Sequence, residues 1–146
     1  GRKLVRWGGY CPIHAAIPVD SVLAARAKHP EAEVMVHPEC PSEVQDAADH
    51  VLSTGQMLEL VKTSDCREFI VGTEEGILHP LAKAAPQSRF FPISPLPVCP
   101  DMKKISLVKL RQALETLEPV VTVPSDVAEG ARNAIEEMIR RTEAAR

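Results

Sequence analysis

Glu68-Phe69-Ile70-Val71, followed by Gly72-Thr73-Glu74-Glu75-Gly76 and then by Arg89-Phe90-Phe91-Pro92-Ile93, is the stretch that decides the fold. The first run is short, apolar and closed by glycine, which reads as a buried strand. Residues 77–84 between the two runs read as a helix, and residues 89–93 as the next strand. A strand, a helix and a second strand joined by short turns predict parallel pairing through a right-handed crossover. That arrangement sends both strands' C-terminal ends to the same rim of the sheet.

Outward from this unit the alternation repeats. Residues 4–7 read as a strand running into Gly8-Gly9-Tyr10-Cys11-Pro12. Val19 to Lys28 reads as a helix, with Asp20 or Ser21 as its N-cap and Val22, Leu23 and Ala25 along one side. Residues 33–37 form a second strand stopped by Pro38, and Ser42 caps a helix reaching Ala48. Residues 50–52 are a brief strand, and Ser53-Thr54-Gly55-Gln56 turns into a helix over residues 57–62. On the other side, Leu107, Leu110, Leu114 and Leu117 mark an amphipathic helix over residues 105–117. Residues 120–123 predict a last strand, and Ser125 caps a final helix to Arg141. The expectation is an α/β fold: a doubly wound, mostly parallel αβα sandwich over residues 1–100, with a C-terminal helical extension over 101–146.

Composition narrows the classes. The chain has 146 residues, enough for one core, and 45% apolar with 25% charged residues is a globular balance. Only 3% is aromatic, so the core must rest on aliphatic side chains and methionine. A net charge of -3 argues against a general nucleic-acid binder. No apolar run approaches the ~20 residues of a membrane span. No signal peptide is legible at the start, and the expected location is the cytoplasm, where thiols stay reduced. A strand-like segment begins almost at Gly1 with no methionine before it, and the expectation is a piece of a longer chain.

The chemistry-bearing residues follow strand ends. Gly9-Tyr10-Cys11-Pro12-Ile13-His14 is the first group, His37-Pro38-Glu39-Cys40-Pro41 the second, and Ser53-Thr54-Gly55-Gln56 the third. Cys99-Pro100-Asp101-Met102-Lys103-Lys104-Ile105 precedes the leucine-rich helix. In open α/β sheets this C-terminal rim binds ligands. Thiol, imidazole, carboxylate and hydroxyl there can supply a metal site, an acid–base pair and an anion cradle. His37 and Glu39, two apart, share a side if the extended backbone continues past Pro38. Ser53, Thr54 and Gly55 open a helix, where N–H groups and hydroxyls receive anions, although a simple N-cap explains them equally well. Gly72, Thr73 and Glu74 are a weaker signal of the same kind. The four cysteines, Cys11, Cys40, Cys66 and Cys99, form no CxxC pair.

These motifs, with Gly-Thr-Glu-Glu-Gly-Ile, occur in an order and at intervals that resemble quinolinate synthase over nearly the whole chain. The resemblance implies three domains of similar αβα build around a cavity holding a [4Fe–4S] cluster, with this chain contributing one domain. One cysteine from each domain binds the cluster. The resemblance places two ligands at Cys11 and Cys99 and the third upstream of residue 1; Cys40 and Cys66 match no ligand position. It implies substrate binding and acid–base work for His14, His37 and Glu39, and substrate binding for Ser53 and Thr54. The implied reaction condenses iminoaspartate with dihydroxyacetone phosphate to quinolinate, losing phosphate and water, for NAD biosynthesis. The implied protein partner is the aspartate-oxidising enzyme that supplies iminoaspartate. In the family the chain's end completes the first domain, so the apolar stripe of Ile135, Met138 and Ile139 lacks its usual cover here and invites self-association.

Three other readings compete. A non-catalytic phosphate-binding α/β module needs only the turn at residues 53–56. An electron carrier needs all four cluster ligands in this chain. An inactive truncated fragment of the synthase has two thiolates, too few to hold a cluster firmly.

Overall fold

The computed structural model describes Val5 and residues 8–144. Most of the strand predicted at residues 4–7 lies outside the described residues. The chain divides into two compact units, Gly1–Met102 and Lys103–Arg146.

In the first unit α1 (Pro12–Ala15) and α2 (Val19–Lys28) precede β1 (Glu33–Val36), and α3 (Ser42–Asp46) leads to β2 (His50–Val51). Then α4 (Thr54–Thr63), β3 (Glu68–Gly72), a 3-10 turn (Glu75–Ile77), α5 (Leu78–Ala84) and β4 (Arg89–Pro92) complete it. All strand pairs are parallel, in the order β2-β1-β3-β4. The chain winds outward from β1 to β2, crosses back, and then winds outward from β3 to β4. The switch point therefore lies between the C-terminal ends of β1 and β3, where such sheets bind ligands.

Strand alternation divides the core into two layers. Val34, Val36 and Ile70 face Val22 of α2 and Val44 of α3. Met35, Phe69 and Val71 face Met57 and Val61 of α4 and Leu81 of α5. Both sheet faces are thus covered, as the near-continuous apolar runs of β1 and β3 require.

Gly72 closes β3 opposite Val36. A Cβ at Gly72 would sit 2.8 Å from Val36 Cγ1. Val36 is buried and β-branched, so it has little room to turn aside. Gly72→Ala is expected to destabilise the protein by about 1–3 kcal/mol. The measurement is a urea titration, with a lowered midpoint at unchanged slope.

Several boundaries differ from the sequence reading. The helix α2 has Pro18 at its N-cap; Ser21 is inside the helix and its hydroxyl donates to Ser94 O at 2.7 Å. The helix α4 starts at Thr54, three residues earlier than expected, because Ser53 and Gln56 form a capping box. The four-residue α1 was not foreseen, its apolar periodicity being too short to register.

In the second unit α6 (Leu107–Thr116) is capped by the Ser106 hydroxyl, which accepts from Lys109 N–H. Leu117 follows in the left-handed conformation at φ 57° and ends it. The last helix, α7, spans Ser125–Glu143, and Pro124 rather than Ser125 is its N-cap. The strand predicted at residues 120–123 is absent: the backbone there is irregular, and Val120, Val121 and Val123 are exposed. Among the described residues of this unit there is no strand to pair with it, and Pro119 and Pro124 on either side cannot donate to a ladder. Leu107, Leu110 and Leu114 of α6 and Ile135, Met138 and Ile139 of α7 are likewise exposed. No helix among the described residues is long and apolar enough to cross a membrane.

Candidate functional site

The site forms where β1 and β3 end. Immediately after β1, His37-Pro38-Glu39-Cys40 makes a β-turn, closed by Cys40 N–H donating to His37 O at 3.0 Å. Proline at the second position favours that turn. Sequence reasoning required an extended backbone past Pro38 to bring His37 and Glu39 together. The turn does it instead: Glu39 N–H donates to His37 Nδ1 at 3.3 Å, and the Glu39 carboxylate lies 3.4 Å from the same nitrogen.

His14 of α1 stacks on His37, with ring centroids 4.4 Å apart and planes 8° from parallel. Its Nδ1 is 3.0 Å from Glu39 Oε2, and its Nε2 is 2.8 Å from Thr73 Oγ1. A carboxylate only accepts, so in the neutral ring Nδ1 carries the proton and Nε2 accepts from the Thr73 hydroxyl. Carboxylate, imidazole and buried hydroxyl therefore form one hydrogen-bonded chain across residues 25 and 59 positions from His14. Thr73 was a weak signal in the sequence. Its position directly after β3, at the switch point, is what could have marked it.

His14, His37 and Thr73 line a cavity of about 400 Å³ with Thr54, Glu74, Gly76, Leu58, Ile77, Pro80 and Met102. Its surface is mostly apolar, with a few polar side chains converging on it, the usual composition of a small-molecule site. Thr54 faces the cavity, whereas Ser53 is committed to its own helix: Ser53 N–H and Oγ–H both donate to Gln56 Oε1, at 2.9 and 2.8 Å. Sequence reasoning missed the apolar wall of Leu58, Pro80 and Met102, because nothing in their local pattern separates them from core.

Glu74 is buried, and its carboxylate accepts from Gly76 N–H at 2.7 Å and Cys99 N–H at 3.2 Å. Beside it Glu75 N–H donates to Pro97 O at 2.9 Å. The irregular segment carrying Cys99 is thus tied to the same rim. A buried carboxylate must be hydrogen-bonded to be tolerated, and here it holds that segment in place.

The four thiols differ in setting. Cys40 is buried, donates to Gly72 O at 3.6 Å, and is pushed up to about 11 chiefly by burial, so it stays a protonated thiol. Cys66 precedes β3, at the N-terminal rim of the sheet, and donates to Glu68 O at 3.1 Å. Cys11, at the N-cap of α1, and Cys99 are both half-buried on the C-terminal side. Cys11, His14 and Glu39 offer ligand atoms all within 4.8 Å of one another, a set able to hold a metal ion.

Burial lowers the pKa of His37 from its ordinary 6.5, the neighbouring His14 adds to that, and Glu39 opposes it. A group with a depressed folded value contributes stability above its unfolded value and loses it as pH falls through the folded one. Stability is therefore expected to drop as pH falls below about 6.5, and His37→Gln is expected to flatten that decline. Urea midpoints measured from neutral to mildly acidic pH check it.

Residues 1–140 match the family model described as "Quinolinate synthetase A protein". The chain is 49% identical to the quinolinate synthase of Methanoregula boonei over 138 residues, 94% of this chain and 46% of that protein. It is 48% identical to the quinolinate synthase of Desulforudis audaxviator over 139 residues, 95% of this chain and 46% of that protein. With the Methanosarcina barkeri enzyme the identity is 44%, over 94% of this chain and 45% of that protein. The chain spans about half the length of the curated relatives it matches.

Proposed function

Since the chain belongs to the quinolinate synthetase A family, we propose that it supplies part of the active site of a quinolinate synthase of its relatives' length. The reaction is the condensation of iminoaspartate with dihydroxyacetone phosphate to quinolinate, with loss of phosphate and water, in cytoplasmic NAD biosynthesis. The observation that carries this reading is the mostly apolar cavity at the switch point, into which His14 and His37 are set, with His14, His37 and Glu39 hydrogen-bonded or stacked on one another.

Cys11 and Cys99 would hold two corners of a [4Fe–4S] cluster. The donor chemistry fits, since iron–sulfur clusters take thiolates, and these two half-buried thiols share the C-terminal side whereas Cys40 is held as a thiol by burial and Cys66 lies at the N-terminal rim. When bound, the cluster supplies an open iron as a Lewis acid that eases loss of water.

The chain's own residues handle position and protons. Thr54 receives the substrate's anionic group at the start of α4, and Ser53 closes the turn behind it. Glu39 orients the His14 ring through Nδ1, so that Nε2 is the basic atom, reached through the Thr73 hydroxyl. His37, whose Nδ1 accepts from Glu39 N–H, presents its other ring nitrogen as a donor for a carboxylate or hydroxyl. The apolar wall of Leu58, Pro80 and Met102 excludes water from the ring-closing steps. The aspartate-oxidising enzyme is the proposed source of iminoaspartate.

The test is anaerobic reconstitution, with iron and sulfide, of a polypeptide of the relatives' length carrying this chain, followed by an assay for quinolinate. Quinolinate formed from both substrates supports the reading. A colourless protein without iron or sulfide, making no quinolinate, overturns it.

A further inference from the structure

Cys11, His14 and Glu39 have a property that the cluster does not use. Their ligand atoms, a thiol sulfur, a ring nitrogen and a carboxylate oxygen, lie within 4.8 Å of one another without Cys99. We propose that, in the cluster-free chain, these three residues bind a single divalent ion of borderline softness, such as zinc or ferrous iron. The site needs neither Cys99 nor a cluster, so it stands independently of the function proposed above.

The geometry is close to what a tetrahedral ion needs. Metal–ligand lengths of about 2.0–2.3 Å place neighbouring ligand atoms roughly 3.4–3.6 Å apart. His14 Nδ1 and Glu39 Oε2 are at 3.0 Å, so the pair opens by a few tenths of an ångström. The Glu39 side chain is 52% exposed and free to make that shift. Cys11 swings its sulfur inward to complete the set. The ion takes the place of the proton now shared by His14 Nδ1 and Glu39.

The surroundings of His14 suit ligation. His14 is only 8% exposed, and its ring is oriented by stacking on His37. With the ion on Nδ1, the proton resides on Nε2, which donates to Thr73 Oγ1 at the present 2.8 Å. A ligating histidine characteristically makes such a hydrogen bond through its second nitrogen, and that bond sets both tautomer and ring angle. Thiolate and imidazole together select zinc or ferrous iron over magnesium or calcium, which prefer all-oxygen shells. Three protein ligands leave a fourth position for water or an incoming group. Because Cys11 is shared, a resident single ion and a cluster exclude each other, and zinc is expected to block cluster assembly at this thiol.

The probe is cobalt(II), added anaerobically to the 146-residue chain and followed by absorption. The expected result is one equivalent bound, with a near-ultraviolet thiolate-to-cobalt charge-transfer band. Cys11→Ser abolishes the band. Glu39→Gln, a half-exposed isostere that leaves packing intact, weakens binding and decides the matter should Cys11→Ser fail to fold. Thr73→Val, which removes the hydrogen bond behind the ring, weakens binding roughly 10–100-fold. Cys99→Ser and Cys40→Ser bind as the unaltered chain does. Absence of the band, its persistence in Cys11→Ser, full affinity in Glu39→Gln, or its loss in Cys99→Ser overturns the proposal. Failure of cluster reconstitution would leave this result untouched, and the converse also holds.

Discussion

Replacing His14 by alanine in a quinolinate synthase carrying this chain is expected to slow quinolinate formation roughly 10²–10⁴-fold, the range of a positioned acid–base group. The loss has two parts. The Glu39 carboxylate loses the ring nitrogen 3.0 Å away, and the buried Thr73 hydroxyl loses its partner at 2.8 Å. Glu39→Gln should cost less, because an amide oxygen still accepts from Nδ1–H while the negative charge that stabilises a protonated ring is gone. Steady-state rates at saturating substrate check both variants. A purely structural role for His14 would instead show as equal losses in rate and in folding stability, with the pH profile unmoved.

Phe69→Ala is expected to cost about 3–5 kcal/mol of stability. Phe69 is fully buried in β3, and its ring packs on Phe90 with centroids 5.8 Å apart. Met57, Val61 and Leu81 complete its surroundings on the α4 and α5 side. Domain stabilities are typically about 5–15 kcal/mol, so this one truncation removes a large share. The comparison is Leu107→Ala, where the side chain is 84% exposed and the expected change is within about 0.5 kcal/mol. Urea unfolding of both variants makes the contrast directly.

Strand and helix positions in the first unit were legible because apolar runs and turn residues are local signals. The expected helix Val19–Lys28 matches its observed bounds, and the predicted strands at 33–37, 50–52, 68–71 and 89–93 each have a counterpart. Residues 120–123 show the limit: β-branched residues favour an extended backbone, but a strand also needs a neighbour that local sequence does not reveal. Helix starts were less legible for a similar reason. The Ser21 hydroxyl is spent on Ser94, 73 residues away, rather than on its own helix.

The rim was legible as a set of motifs following strands, but its internal pairing was not. That His14 meets Thr73, and that Glu74 holds Cys99 N–H, are contacts over 59 and 25 residues set by the order of strands. The His37–Glu39 relation was anticipated for the wrong conformation, since Pro38 starts a turn rather than continuing a strand. Cys40 and Cys66 were set aside because they match no ligand position. Cys40 is buried, and Cys66 lies before β3 on the N-terminal rim of the sheet.

In the proposed enzyme Cys11 and Cys99, and not Cys40, would anchor the cluster. This is tested most directly by iron and sulfide content after anaerobic reconstitution of the relatives'-length protein in three forms: unaltered, Cys99→Ser and Cys40→Ser. The account predicts a full complement in the unaltered and Cys40→Ser proteins and its loss in Cys99→Ser. A full complement in Cys99→Ser, or its loss in a folded Cys40→Ser protein, would contradict it.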